Sequence, residues 1–234
     1  MPPRAPSDRR TLPLAARDAL VRLLLADLAG GRTASCVAGA LEVASLAEGA
    51  RVAGDEASAR VGEALLAAGL VAHVPADGGP TTGTRALVRV APRWEETAVR
   101  RLQEYDVALR GVARGGDLTA RLAQARRLFA LRLHFEVHEV LEPPWQRAGG
   151  DDRRTLQGLI QAAVAWHHWR HGNVAGATRL ANAARVKLES APDDWHGFPV
   201  AVVRRGVVTW ERWLADGARG AAPPLPFARA EGEG

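Results

Sequence analysis

The stretch HFEVHEVLEPPW, residues 134–145, gathers two histidines, three glutamates and a tryptophan into one short segment. On a helix, at about 100° per residue, Glu136, Glu139 and Glu142 gather on one face, with His138 and His134 on its flank beside Glu142. His138 and Glu142 stand one turn apart and can share one cation, with Glu139 as a third ligand. Glu136 and Glu139 are the acid–base candidates, Glu136 also an outer ligand. A divalent ion here (Zn, Mn or Fe) would activate a water for attack on an ester or phosphoester. The spacing is not the zinc-protease H-E-x-x-H, because Glu142 stands where the second histidine belongs. It also lacks the paired Glu-x-x-His of di-iron bundles.

A second segment offers a matching stripe. In RTLQGLIQAAVAWHHWRHG, Leu156, Leu159, Ala162, Ala163, Trp166 and Trp169 make an apolar face. Gln157, Gln161, His168 and His171 fall on the other side. Glutamine and histidine can bond carboxylates, so the two polar stripes are expected to face each other in a shared, partly buried cluster. Gln157, Gln161, His168, Asn173 and Trp145 are then the candidates for substrate contact or outer support. Two plainer readings stay open. A glutamate-rich face is often simply solvated, and a buried polar network can fix helix register without any ligand. Glu139 and Glu142, at i,i+3, repel unless something neutralises them.

The elements that must position these residues follow from periodicity and punctuation. One long helix is expected from about Thr119 to Glu142, stopped by Pro143-Pro144 and Trp145. A second runs from about Arg153 to His171 and ends at Gly172. Asn173 caps a third, which reaches about Glu189. VAVVRRGVVTWERWL is a last helix. Trp166 and Trp169 read as core, and Gly176-Ala177 as a place for close helix approach. The fold class is therefore mainly α, with residues 118–215 an all-α bundle.

Upstream, residues 1–11 are Pro/Arg-rich and read as disordered. LAARDALVRLLLADLAGG is a helix stopped by Gly30-Gly31. Short helices follow, one with Asp55 as N-cap and Gly69 as its stop. LVAHV and RALVRVAP read as strands around the turn PADGGPTTGT. Three helices followed by a hairpin, over residues 12–92, resemble a winged helix. Residues 93–117 read as a linking helix, and residues 216–234 as a disordered tail.

Composition narrows the function classes. Hydrophobic residues make up 47% and charged residues 24% of the 234 positions, which is ordinary for a globular protein. No apolar run reaches about 18 residues, so no membrane span is expected. The N-terminus lacks the apolar core of a secretory signal. The single cysteine, Cys36, excludes an internal disulfide and a cysteine-based zinc knot. These features fit a cytoplasmic protein. Lys187 is the only lysine among 31 basic residues. Arginine in place of lysine, with abundant Ala and Gly, reads as the codon bias of a GC-rich genome. Residues 1–117 carry fifteen basic and fourteen acidic side chains, whereas residues 118–215 carry fourteen and nine. A nearly neutral winged-helix-like unit makes a weak case for DNA. It fits contact with a protein partner or a second copy at least as well.

LFALRLHFEVHEVLEPPW and LQGLIQAAVAWHHWRHGNVAGATRL together resemble the family catalogued as domain of unknown function 309. The residues that carry the resemblance are Phe135, Glu136, His138, Glu139, Leu141, Glu142 and Trp145. It continues through Gln157, Gly158, Leu159, Ile160, Gln161, Ala163, Ala165 and His168, then Gly172, Asn173, Gly176 and Ala177. It covers roughly residues 120–190. His134 departs from it, standing where an aromatic is usual; Val137 replaces a small residue, and Pro143-Pro144 precede the tryptophan. The resemblance implies a compact all-helical fold and no particular activity.

Overall fold

The computed structural model describes residues 12–30, 35–52, 56–73 and 87–227. The expectations for residues 1–11, Asp55, the turn PADGGPTTGT and residues 228–234 lie outside the described residues. The chain is mainly helical and divides between Arg114 and Gly115 into two compact units.

The first unit contains α1 (Leu14–Ala29), α2 (Cys36–Ala44), β1 (Arg51–Val52), α3 (Glu56–Ala67), β2 (Val71–His73), β3 (Leu87–Arg89) and α4 (Glu95–Leu109). The strands form an antiparallel sheet in the order β1-β3-β2. β1 is too short for alternation to reveal it in the sequence. Leu20, Leu24, Leu65 and Leu70 are fully buried. Asp27, on α1, is buried and caps α2 from outside that helix. Its carboxylate accepts from Ser35 Oγ (2.6 Å), Cys36 N (2.8 Å) and Val37 N (2.9 Å). The N-terminal amides of α2 are thereby paired, as a buried helix start requires. Arg89 is also buried; it bonds the Leu70 carbonyl (3.1 Å) and pairs with Glu95. Residues 93–117, expected as a linking helix, hold the helix α4, which packs within the first unit. Leu102 and Tyr105 are fully buried there, and the Trp94 indole donates to Ala68 O (2.9 Å).

The second unit contains α5 (Leu118–Ala130), α6 (His134–Arg147), α7 (Gly150–Arg170), α8 (Val174–Leu188) and α9 (Val200–Ala215). The expected single helix over 119–142 is two helices. Arg132 takes φ 60, and the Leu133 amide bonds back to Leu128 O (2.9 Å), which closes α5 and reverses the chain. A non-glycine residue there costs about 1–2 kcal/mol. The reversal lets Leu128 and Phe129 on α5, and Leu133, Val137, Val140 and Leu141 at and beyond the turn, enter one core. No Gly or Pro marks the turn, so the helical period runs through it unbroken in the sequence.

Pro143 and Pro144 do not end α6, which continues to Arg147. Pro144 has no N–H for the Val140 carbonyl one turn back. Arg121 of α5 supplies the donor, its Nη1 lying 3.0 Å from Val140 O. Arg153 then closes the helix end by donating to Trp145 O (3.0 Å).

The glycines of the resemblance have distinct duties. A Cβ on Gly158 would lie 2.7 Å from Leu188 Cγ, so Gly158 is what lets α7 and α8 approach. The close approach expected of Gly176 is a different one: a Cβ there would meet the Asn173 side chain at 2.7 Å. Gly176 makes room for the cap of α8, in which its own amide donates to Asn173 Oδ1 (2.9 Å). Trp166 is core, as expected, but Trp169 is half-buried, edge-on to Trp210 at 4.8 Å. The expected disordered tail is ordered as far as Phe227. Pro226 packs on Gly206, and the Phe227 ring lies 5.7 Å from Phe198 and 6.1 Å from Phe129. Apolar residues in a Pro-rich stretch found a core face despite the absence of regular structure.

Arg121→Met keeps the stem and removes the donor to Val140 O. It is expected to destabilise the protein by about 1–3 kcal/mol, the range for orphaning a shielded polar group. Urea unfolding checks this; an unchanged midpoint would show that the carbonyl finds water instead.

Candidate functional site

α6 and α7 form an antiparallel pair. The Phe135 ring lies 5.7 Å from that of His167 at one end, and Arg153 stacks 4.5 Å over the Trp145 ring at the other. This register sets Gln161 at the level of Glu139 and Gln157 at the level of Glu142.

His138, Glu139 and Glu142 each offer a donor atom within 4.8 Å of the others, and all three side chains are half-buried. His138 Nδ1 donates to Glu139 Oε1 (2.9 Å). The neutral ring then carries its lone pair on Nε2, the arrangement of a metal-binding histidine oriented by a carboxylate. Gln146 Nε2 donates to Glu142 Oε1 (3.2 Å), an i,i+4 contact on the same helix. Gln161 Oε1 and Trp145 Nε1, both buried in this helix pair, have no hydrogen-bond partner among the described residues, and the two ring nitrogens of His134 share that state.

Glu136 does not join the three. It is only 2% exposed, and on the wheel it lies about 160° from His138. Three glutamates at i,i+3 spacing sweep progressively round a helix, so the first turns into the core while the last two stay at the rim. A base role for Glu136 toward a solvent-facing ion is therefore not what the geometry offers.

His134 is not beside the acidic face either. It is buried, 5.7 Å from the Trp166 ring and 6.3 Å from Phe129, and neither ring nitrogen has a hydrogen-bond partner among the described residues. It fills an aromatic position as an aromatic. Burial, with Arg170, His167 and Arg132 nearby, pushes its pKa down to about 3.

His168 and Asn173 sit at the opposite end of α7 from Gln157, near the turn into α8. Asn173 caps α8 through Oδ1 and donates through Nδ2 to His168 Nδ1 (2.9 Å). Burial, then Arg179 and His171, lower the His168 pKa. His168 is about 10 Å along the helix from Gln161, at 1.5 Å per residue. The predicted stripe is thus split: Gln157 and Gln161 lie level with the carboxylates, whereas His168 and Asn173 form a helix-end pair. Trp145 is the far anchor, stacked under Arg153.

Residues 122–180 match the family described as Domain of unknown function (DUF309), so the whole three-residue cluster lies inside the matched segment. An uncharacterised protein of Aquifex aeolicus is 26% identical over 97 residues, covering 41% of this chain and 28% of that protein. The uncharacterised protein YpuF of Bacillus subtilis is 48% identical over 59 residues, covering 24% of this chain and 34% of that protein. The chain thus spans roughly a third of the length of the curated relatives it matches. No solved structure matches. No helix among the described residues is long and apolar enough to cross a membrane.

The depressed His134 pKa has a signed consequence. Between about 3 and its ordinary 6.5, the unfolded chain binds a proton that the folded chain excludes. Stability is therefore lost as pH falls through that window, at up to about 1.4 kcal/mol per pH unit. His134→Phe should remove this component and, by replacing two unpartnered nitrogens, raise stability at neutral pH. Urea midpoints for both proteins at pH 7 and 4.5 check it; equal losses on acidification would contradict the assignment.

Proposed function

We propose that His138, Glu139 and Glu142 hold a divalent cation on the partly exposed flank of α6. The observation that carries this reading is the convergence of their three donor atoms within 4.8 Å. One imidazole and two carboxylates suit Zn, Mn or Fe. Three protein ligands leave positions open for water, which is the pattern of catalytic metal sites. The ion would act as a Lewis acid and lower the pKa of that water, and hydrolysis of an ester or phosphoester is the reaction class to assay. Glu139, bonded to His138, orients the imidazole; Gln157 and Gln161 stand level with the site to meet a bound group. Glu136 takes no part in this reading.

The expected result is a melting temperature that rises with added Zn, Mn or Fe. A ligand at one hundred times its Kd adds about 2.7 kcal/mol. Glu142→Gln should abolish the rise without unfolding the metal-free protein. Tag-free protein that contains no metal, and whose melting ignores all three ions, would sink the proposal.

A second reading concerns the first unit. Its order of two helices, a strand, a helix and two strands, with a β1-β3-β2 antiparallel sheet, supports a winged-helix module. We propose that it contacts a protein partner. On α3, Arg60 and Glu63 are both exposed and opposite in sign, a poor surface for phosphate. Random duplex DNA at low salt is expected to show no gel shift with the full chain. A shift that weakens steeply with salt would assign the module to DNA.

A further inference from the structure

The chain beyond α9 is held differently from the helices. Gly217 (φ 78) and Ala218 close α9, the Ala218 amide bonding to Trp213 O (2.9 Å). From Arg219 to Phe227 no backbone–backbone hydrogen bond forms among the described residues, and only Pro226 is buried. The sequence dictates this. Pro223, Pro224 and Pro226 have no N–H, and a residue before proline is kept out of the helical region. Residues 222–225 therefore run extended, in the manner of polyproline, with carbonyls that need donors from outside the segment.

One stripe of α9 supplies them. Gly206, Trp210 and Trp213 stand at i, i+4 and i+7, on the same side of the helix. Trp213 Nε1 donates to Arg219 O (2.8 Å), and Trp210 Nε1 to Pro224 O (3.4 Å). Pro226 is seated on Gly206, where a Cβ would come within 2.7 Å of the proline Cγ. The Phe227 ring completes the row, 5.7 Å from Phe198 and 6.1 Å from Phe129, with the Arg126 guanidinium 5.7 Å from its centroid. We propose that this face is a receptor for proline-rich segments of the pattern P-P-x-P-aromatic. Residues 223–227 occupy it in cis, and a partner protein's segment of the same pattern displaces them. Aromatic side chains that line a groove are how proteins recognise such segments, which are ordered before they bind. Here the indole donors, the bare seat at Gly206 and the ring pocket read backbone carbonyls, a proline and an aromatic, all of which a foreign segment also carries. A short tether keeps even a weak ligand in place, at about millimolar local concentration, and a weak ligand is one that a partner replaces. The receptor shares no residue with the cluster on α6.

The test titrates 15N-labelled full-length protein with two peptides and reads the indole N–H signals of Trp210 and Trp213. TESKPPVPF keeps only the pattern, and TESKPPVAF breaks it at the seated proline. F227A loosens the strap and leaves the receptor intact. It should bind TESKPPVPF about tenfold more tightly than wild type does, with both indole signals moving. TESKPPVAF should move neither. Adding G206A to F227A should abolish binding; the new methyl meets only Pro226, so the fold is kept. Circular dichroism checks each fold, and P226A loosens the strap equally well if F227A does not fold. Unmoved signals in the loosened variant at millimolar TESKPPVPF would overturn the proposal, as would equal responses to both peptides or binding that survives G206A. Wild type that sediments as a dimer would overturn the partner assignment in favour of a second copy's strap.

Discussion

The bond from Arg121 to the Val140 carbonyl is the contact on which the geometry of α6 rests. Two consecutive prolines remove two amide donors from the middle of a helix. Without a replacement, the chain has every reason to end or kink at that point. Arg121 reaches across from α5 and supplies one donor, so the helix continues for another turn to Arg147. Burial, with Arg147 nearby, lowers the Arg121 pKa, but an arginine so shifted still carries its charge at neutral pH. His138, Glu139 and Glu142 occupy the turn just before the prolines. Their mutual placement therefore depends on a side chain from another helix that has no part in the cluster itself.

The same economy governs the two ends of the α6–α7 pair. Arg153 stacks on Trp145 and holds the last carbonyls of α6. Asn173 does the corresponding work at the other end, capping α8 and fixing His168. Gly158 and Gly176 matter because each leaves room for a neighbour: Leu188 in one case and Asn173 in the other. The motif residues of the matched family segment thus divide by physical duty. Some close helices, some admit close packing, and only His138, Glu139 and Glu142 converge as a group of donors.

Most of the second unit was legible because helical period, Gly172 and Asn173 are strong local signals. The break at Arg132 was not, because a left-handed non-glycine residue leaves no mark in composition. The continuation through Pro143-Pro144 was hidden for the opposite reason. The local signal is a strong stop, and it is overridden by a tertiary bond from a residue more than twenty positions away. The cluster itself was readable from i,i+3 and i,i+4 spacing. The burial of Glu136 was not, since a wheel gives angles between side chains but not the direction of the core. In the first unit the helices were legible and β1 was not, because two residues carry no alternation.

His134 shows how a departure from a family pattern can be misread when only its chemistry is weighed. By type it is a ligand and a base, and by sequence position it stands beside three glutamates. By placement it is an aromatic plate between Phe129 and Trp166. Both ring nitrogens are shielded from water, so the neutral form is the one the fold selects. Its neighbour in the motif, His138, differs by about 40° round the helix and has a carboxylate at 2.9 Å. The difference between a core plate and a candidate ligand is therefore set by helix rotation, and that rotation is set by Leu133, Val137, Val140 and Leu141 seeking the core. The apolar residues of α6, more than its polar ones, decide which histidine is available for chemistry.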